Sequence, residues 1–123
     1  MYETGNTKAD WGHDCVLATE SDGLVHWRGR TGVYQDDLEG TGAGPTESPF
    51  VVRRDGRYYL FIGPADYGVA MAATQRGERA DWATAYSSTV VLVSDDARHF
   101  ERNEIAGEIA AHAAEVIVDE DGA

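Results

Sequence analysis

TESPFVVRRDGRYYLFIGP, Thr46 to Pro64, sets an acidic residue and a proline in front of two apolar runs separated by a turn. Val51, Val52, Tyr58, Tyr59, Leu60, Phe61 and Ile62 are β-branched, aromatic or bulky, the side chains that suit a pleated, half-buried surface. Asp55-Gly56 stands between the runs. Asp-Gly flanked by strand formers is the strongest short hairpin signal, because both central residues of the tightest hairpin turns need positive φ. The stretch therefore reads as strand, turn, strand. Glu47 sits just ahead of the first strand, where a fixed scaffold can hold its carboxylate toward a cleft.

The same grammar recurs on both sides. Ser21-Asp22-Gly23-Leu24-Val25-His26-Trp27 returns as Ser94-Asp95-Asp96-Ala97-Arg98-His99-Phe100, with the same Ser-Asp start and the same His-aromatic finish. Each copy follows a strand-like run, Cys15 to Ala18 and Val90 to Val93, and precedes a shorter, more polar one. Phe50 to Gly56 is echoed by Val116 to Gly122. Self-similarity on this scale, with four short strands per unit, marks a β-propeller, whose blades cannot bury their faces alone. The expected fold is all-β, a partial β-propeller. A partial blade covers 1–35, with strands at 1–5, 14–20 and 26–34. A full blade covers 47–106, with strands at 48–54, 57–63, 89–94 and 99–106. The start of a next blade covers 112–123, with a strand opening at 113–118. The chain stops on a turn signal, so the expectation is a fragment of a larger ring whose N-terminal part is missing, inactive when taken alone.

Consecutive strands of a blade run antiparallel, which sorts the connections onto two rims. Glu47, His112, the Asn6 to Asp14 loop and the Pro64 to Ser88 loop fall on one rim, and the Asp-Gly and Ser-Asp turns on the other. The Pro64 to Ser88 connection is the long one and carries Tyr67, Trp82 and Tyr86. Long loops on a rigid scaffold are where binding groups gather.

Composition narrows the partners. In 123 residues the formal charge is −12 and the pI near 4.5. A surface of that sign repels phosphate backbones and anionic lipid, so nucleic acid and membrane are not expected partners, and a neutral or cationic ligand is. Hydrophobic residues make up 42% of the chain, ordinary for a globular protein. Cys15 is the single cysteine, which excludes an internal disulfide and a cysteine-rich metal site without deciding the compartment. No cofactor is implied. Asp119-Glu120-Asp121 lacks the loop length and ligand spacing of a calcium hand, so no metal site is expected there.

The ESPFVVRRDGRYYLF segment resembles the five-bladed propeller glycoside hydrolases, chiefly glycoside hydrolase family 43 and the related family 32. Family 43 typically carries Glu-Ala-Pro or Glu-Gly-Pro before an apolar strand, a Gly-containing turn and a Tyr-Tyr-Leu strand; this chain has Glu-Ser-Pro. The Ser-Asp-x-x-x-His-Trp pattern and the segment His112 to Val116 are similar too. Family 32 would favour Glu-Cys-Pro and an Arg-Asp-Pro segment, which this chain lacks, so the likeness leans to family 43. It covers about two of five blades. The resemblance implies that Glu47 is a general acid protonating the leaving glycosidic oxygen of arabinose-, xylose- or fructose-containing oligosaccharides, with two partner aspartates upstream of Met1. Such an acid needs a carboxyl that is protonated near working pH, which burial and nearby carboxylates favour.

The other candidates each have a plainer reading beside the sharp one. His112 lines the cleft as a hydrogen-bond donor or is satisfied by backbone at the start of a strand. Glu115 points into the central channel or is a rim charge. Trp82 and Tyr67 stack on a sugar or tuck beneath their own loop. His13 and Asp14 shape a subsite or serve structure and solvent. Glu47 itself could be a solvated residue before a strand. Trp27, Phe100, Tyr58 and Tyr59 read as packing between blades, and His26 and His99 as structural repeats. The alternative function is a non-catalytic carbohydrate-binding propeller module that keeps the groove without the acid chemistry.

Overall fold

The computed structural model describes residues 1–5, 14–36 and 44–117. It is all-β, with two antiparallel sheets. The first, in the order β1-β2-β3, comprises β1 (Tyr2–Gly5), β2 (Cys15–Glu20) and β3 (Arg28–Gln35). The second, in the order β4-β5-β6-β7, comprises β4 (Glu47–Arg54), β5 (Arg57–Gly63), β6 (Thr89–Ser94) and β7 (Ile105–Ile109). Two short helices, α1 (Tyr67–Gln75) and α2 (Trp82–Ala85), lie in the connection from β5 to β6.

The quoted hairpin forms as its turn chemistry dictates. Asp55 and Gly56 take φ of 51° and 81°, positive at both central positions as a type I′ turn requires. Arg54 pairs with Arg57 directly across it. The Ser-Asp repeat is also a repeat in space. Gly23 N–H donates to Ser21 Oγ at 3.3 Å, and Asp96 N–H donates to Ser94 Oγ at 3.0 Å, the same local turn in each sheet.

The core lies between the sheets. Val16, Val33 and Tyr34 from the first sheet meet Leu60, Ile62 and Leu92 from the second, with Phe100 wedged among them and Tyr2, Val51, Tyr58 and Val90 around the border. Fully burying a Leu, Ile or Val is worth about 1.5–3 kcal/mol relative to exposure, so this cluster is the principal cement between the sheets. Polar ties reinforce it. Tyr2 Oη donates to the Ala97 carbonyl at 3.0 Å, and Thr4 Oγ1 donates to the Thr46 carbonyl at 2.8 Å. Tyr34 Oη donates to Asp36 Oδ2 at 2.8 Å while Arg102 Nη1 sits 3.3 Å from Asp36 Oδ1.

Four expectations are corrected. The strand placed at 99–106 begins only at Ile105, because Phe100 turns into the core and gives its N–H to Val33 of the first sheet instead of to β6. Residues 114–117 are irregular where a strand was expected: among the described residues no neighbouring strand is present to take their backbone groups. The Pro64 to Ser88 connection is largely helical. Helix α1 has the good helix formers Ala70, Met71, Ala72 and Ala73 at its centre and ends in a Schellman motif, with Gly77 at φ 73°, Gly77 N–H bonded to the Thr74 carbonyl and Glu78 N–H to the Ala73 carbonyl. Trp27, expected to pack between blades, is 42% exposed.

Candidate functional site

Glu47 opens β4 opposite Gly63, and the pairing resumes with Phe50 against Phe61, so β4 carries one extra residue between them. That is a β-bulge, a device that bends a strand end and re-aims its side chains. Ser48, inside the bulge, holds φ at 50°, in the left-handed region that favours glycine. A non-glycine residue kept there beside a carboxylate is local strain of the kind that clusters at functional sites.

The connection that follows β5 folds back over this strand end. Asp81 caps α2, accepting from Thr84 N–H at 3.0 Å and from Thr84 Oγ1 at 2.6 Å. Trp82 and Tyr86 are four residues apart across the helix and its C-cap, a spacing that brings both rings to one side. Their ring centroids are 6.4 Å apart. Tyr67, at the start of α1, stands edge-on to Tyr86 at 6.1 Å and tilted against Trp82 at 5.5 Å. Met71 and Tyr67 bury themselves beneath, with Tyr86 against them.

Tyr86 is the junction. Its Oη donates to Glu47 Oε1 at 3.2 Å. Its ring also meets His112, tilted at a centroid separation of 5.1 Å. His112 is brought there by a hook anchored on Thr89. The buried Thr89 hydroxyl donates to the Ala111 carbonyl at 2.7 Å and accepts the Ala114 N–H at 3.4 Å. Ala113 between them takes φ 52°.

Electrostatics follow this geometry. Burial pushes the Tyr86 phenol up to about 12, and the Glu47 charge and hydrogen bond push in the same direction, since a phenolate beside a carboxylate is disfavoured. Tyr67 is raised by burial and, less, by the charge of Glu47. Both phenols are held protonated, and Tyr86 is the donor to Glu47.

Of the residues singled out from sequence, Glu47, Tyr67, Trp82 and His112 therefore meet around Tyr86. Tyr67 is buried and backs the cluster, whereas Trp82, at 36% exposure, and His112 present their rings to solvent. Asp14 lies at the same end of the fold, yet it is buried. Its carbonyl accepts from Asp36 N–H at 2.8 Å, and its carboxylate bonds the Cys15 thiol. Glu115 is exposed on the segment beyond His112, which among the described residues is irregular and not the strand that was to aim it at a channel. His13 lies outside the described residues. The sequence marked Tyr86 as an aromatic of the long connection without singling it out as a site residue, and gave no place to Thr89. The four-residue spacing of Trp82 and Tyr86 was the available signal for the first; for the second there was none.

A recess of about 430 Å³ lined by Cys15, Leu17, Tyr34, His99, Phe100 and Glu101 contains none of these groups. Glu47 and Tyr86 bring a carboxyl and a phenol together, with an indole and an imidazole against the Tyr86 ring. Such a set can exchange a proton and offer ring faces to an apolar surface such as the underside of a pyranose or furanose. Comparison with protein families, with curated proteins and with solved structures finds no match for this chain.

Proposed function

We propose that the chain contributes about two blades to a five-bladed propeller glycoside hydrolase, and that Glu47 is its general acid. The substrates are arabinose-, xylose- or fructose-containing oligosaccharides. The observation that carries this reading is the Glu47 carboxyl, set on a bulged strand end and bonded by Tyr86 at 3.2 Å, with the rings of Trp82 and His112 packed against the Tyr86 ring. In the reaction Glu47 gives its proton to the glycosidic oxygen as the bond to the anomeric carbon breaks. The alcohol leaves, and water supplies the hydroxyl that replaces it. The base or nucleophile and its helper are two aspartates of other blades. Help from a positioned acid of this kind is worth roughly 10²–10⁴-fold.

The acidic surface agrees with an uncharged substrate, since a charge of −12 excludes polyanions by repulsion. The exposed indole of Trp82 also suits the second reading, a propeller module that binds sugar without cleaving it. One experiment separates them. The full-length protein and its Glu47→Gln variant are tested for release of reducing sugar from arabino-, xylo- and fructo-oligosaccharides, with binding followed by calorimetry. Turnover lost in the variant while binding persists supports hydrolysis. Binding without turnover in the unaltered protein establishes the module, and absence of both overturns the carbohydrate reading.

A further inference from the structure

Tyr86 has its ring fixed from three directions, by Tyr67 at 6.1 Å, by Trp82 at 6.4 Å and by His112 at 5.1 Å. A tyrosine has only two side-chain torsions up to its ring, so a ring held this way fixes the position of its hydroxyl oxygen. That O–H is spent on Glu47 Oε1. Glutamate, with three torsions, is among the side chains that lose most freedom when ordered, and a carboxyl aimed at one oxygen of a substrate must lose it before the reaction.

We propose that Tyr86 is the positioning residue of Glu47: from the α2 side of the β5 to β6 connection, its phenol locks the carboxyl in the rotamer used for proton transfer. The inference rests on the acid role proposed above. The bond survives both protonation states. In the carboxylate, Oε1 is an anionic acceptor; in the acid, Oε1 becomes the carbonyl oxygen, still an acceptor, and the proton rides on Oε2. When that proton passes to the glycosidic oxygen, the electron pair it leaves stays on the carboxylate, and the Tyr86 hydrogen bond strengthens as the charge appears. A contact that is stronger after proton transfer than before stabilises the transition state, so its loss falls on kcat. The groups facing the Tyr86 phenol are Glu47 from β4, Tyr67 from α1 and His112 from the segment after β7.

The ring alone would satisfy a packing role, and phenylalanine supplies the same ring. The test therefore removes only the hydroxyl. In the full-length protein, Tyr86→Phe is expected to lower kcat about 10-fold or more while KM stays within about twofold. A second measurement needs no turnover: with ¹³C-labelled tyrosine, the Tyr86 phenol, assigned by its absence in Tyr86→Phe, titrates near 12 and moves down toward the ordinary 10.0 in Glu47→Gln. An unchanged kcat in Tyr86→Phe, with turnover abolished in Glu47→Gln, removes the positioning role and leaves the acid in place. A Tyr86 titration indifferent to Glu47→Gln overturns the pairing itself. Turnover that is absent, or insensitive to Glu47→Gln, removes the acid role and the positioning role with it.

Discussion

Phe100 gives its main-chain N–H to the carbonyl of Val33 at 2.8 Å and drops its ring between the two sheets. The residue at the matching place in the first Ser-Asp repeat, Trp27, is exposed. Equivalent positions in the repeat thus carry unequal weight, and the inequality is measurable. Phe100→Ala leaves a cavity in the only cluster that joins the sheets among the described residues, and it should cost about 3–5 kcal/mol by urea unfolding. Trp27→Ala should stay within about 0.5 kcal/mol. Similar losses at the two sites would mean that the sheets do not meet at Phe100.

The bulge after Glu47 gives a second expectation. Ser48 sits at φ 50°, where a β-branched side chain crowds the backbone and glycine does not. Ser48→Val should destabilise the chain by about 1–2 kcal/mol. Ser48→Gly should lie within about 1 kcal/mol of the unaltered protein, since relief of the left-handed backbone offsets the added freedom of the unfolded chain. If valine is accepted as readily as glycine, the bulge is not where β4 bends.

Thr89 carries the hook that sets His112 against Tyr86. Thr89→Val keeps the shape of the side chain while stranding the Ala111 carbonyl and the Ala114 N–H, each of which bonds Thr89 Oγ1. A loss of about 1–3 kcal/mol is expected. The His112 ring protons, shifted by the Tyr86 ring at 5.1 Å, should return to unshifted positions in the proton NMR spectrum. Persistence of the ring shift in the variant would place the anchor elsewhere.

Alkali should unfold the chain through its tyrosines. Tyr2, Tyr34, Tyr67 and Tyr86 are all raised above 10.0, each chiefly by burial; Tyr86 reaches about 12 and Tyr34 is pushed furthest. A phenol whose folded value is raised binds its proton more tightly in the native state, so its contribution is complete below the unfolded value of 10.0 and is lost as pH climbs beyond it. Stability should therefore be insensitive to these groups up to about pH 10 and fall steadily through pH 12. Tyr34→Phe should flatten that fall, although it costs stability at neutral pH by removing a donor from the buried Asp36. Urea midpoints between pH 9 and 12 would reveal it; an equal slope in the variant would contradict the burial of Tyr34.

How far the sequence reached depended on whether a signal was local. The β4 to β5 hairpin was legible because Asp55-Gly56 specifies its own turn, and the Ser-Asp repeat because each serine caps its own turn two residues on. The start of β7 was misplaced because Phe100 looks like a strand residue, and only contact with Val33 shows it to be a plug between sheets. Helix α1 had a readable signature, an alanine-rich run closed by Gly77, overshadowed by the β pattern on either side. Tyr86 was not legible as a partner of Glu47, because the two are 39 residues apart and meet only once the connection has folded back.

The proton that Glu47 is to deliver is read most directly by leaving-group dependence in the full-length protein. A series of aryl glycosides running from phenol to dinitrophenol leaving groups should be cleaved by the unaltered protein with little dependence on the phenol's acidity. In Glu47→Gln the phenyl glycoside should lose about 10²–10⁴-fold while the dinitrophenyl glycoside, which needs no protonation, is nearly spared. An equal loss across the series, or none, would contradict the assignment of Glu47 as the acid.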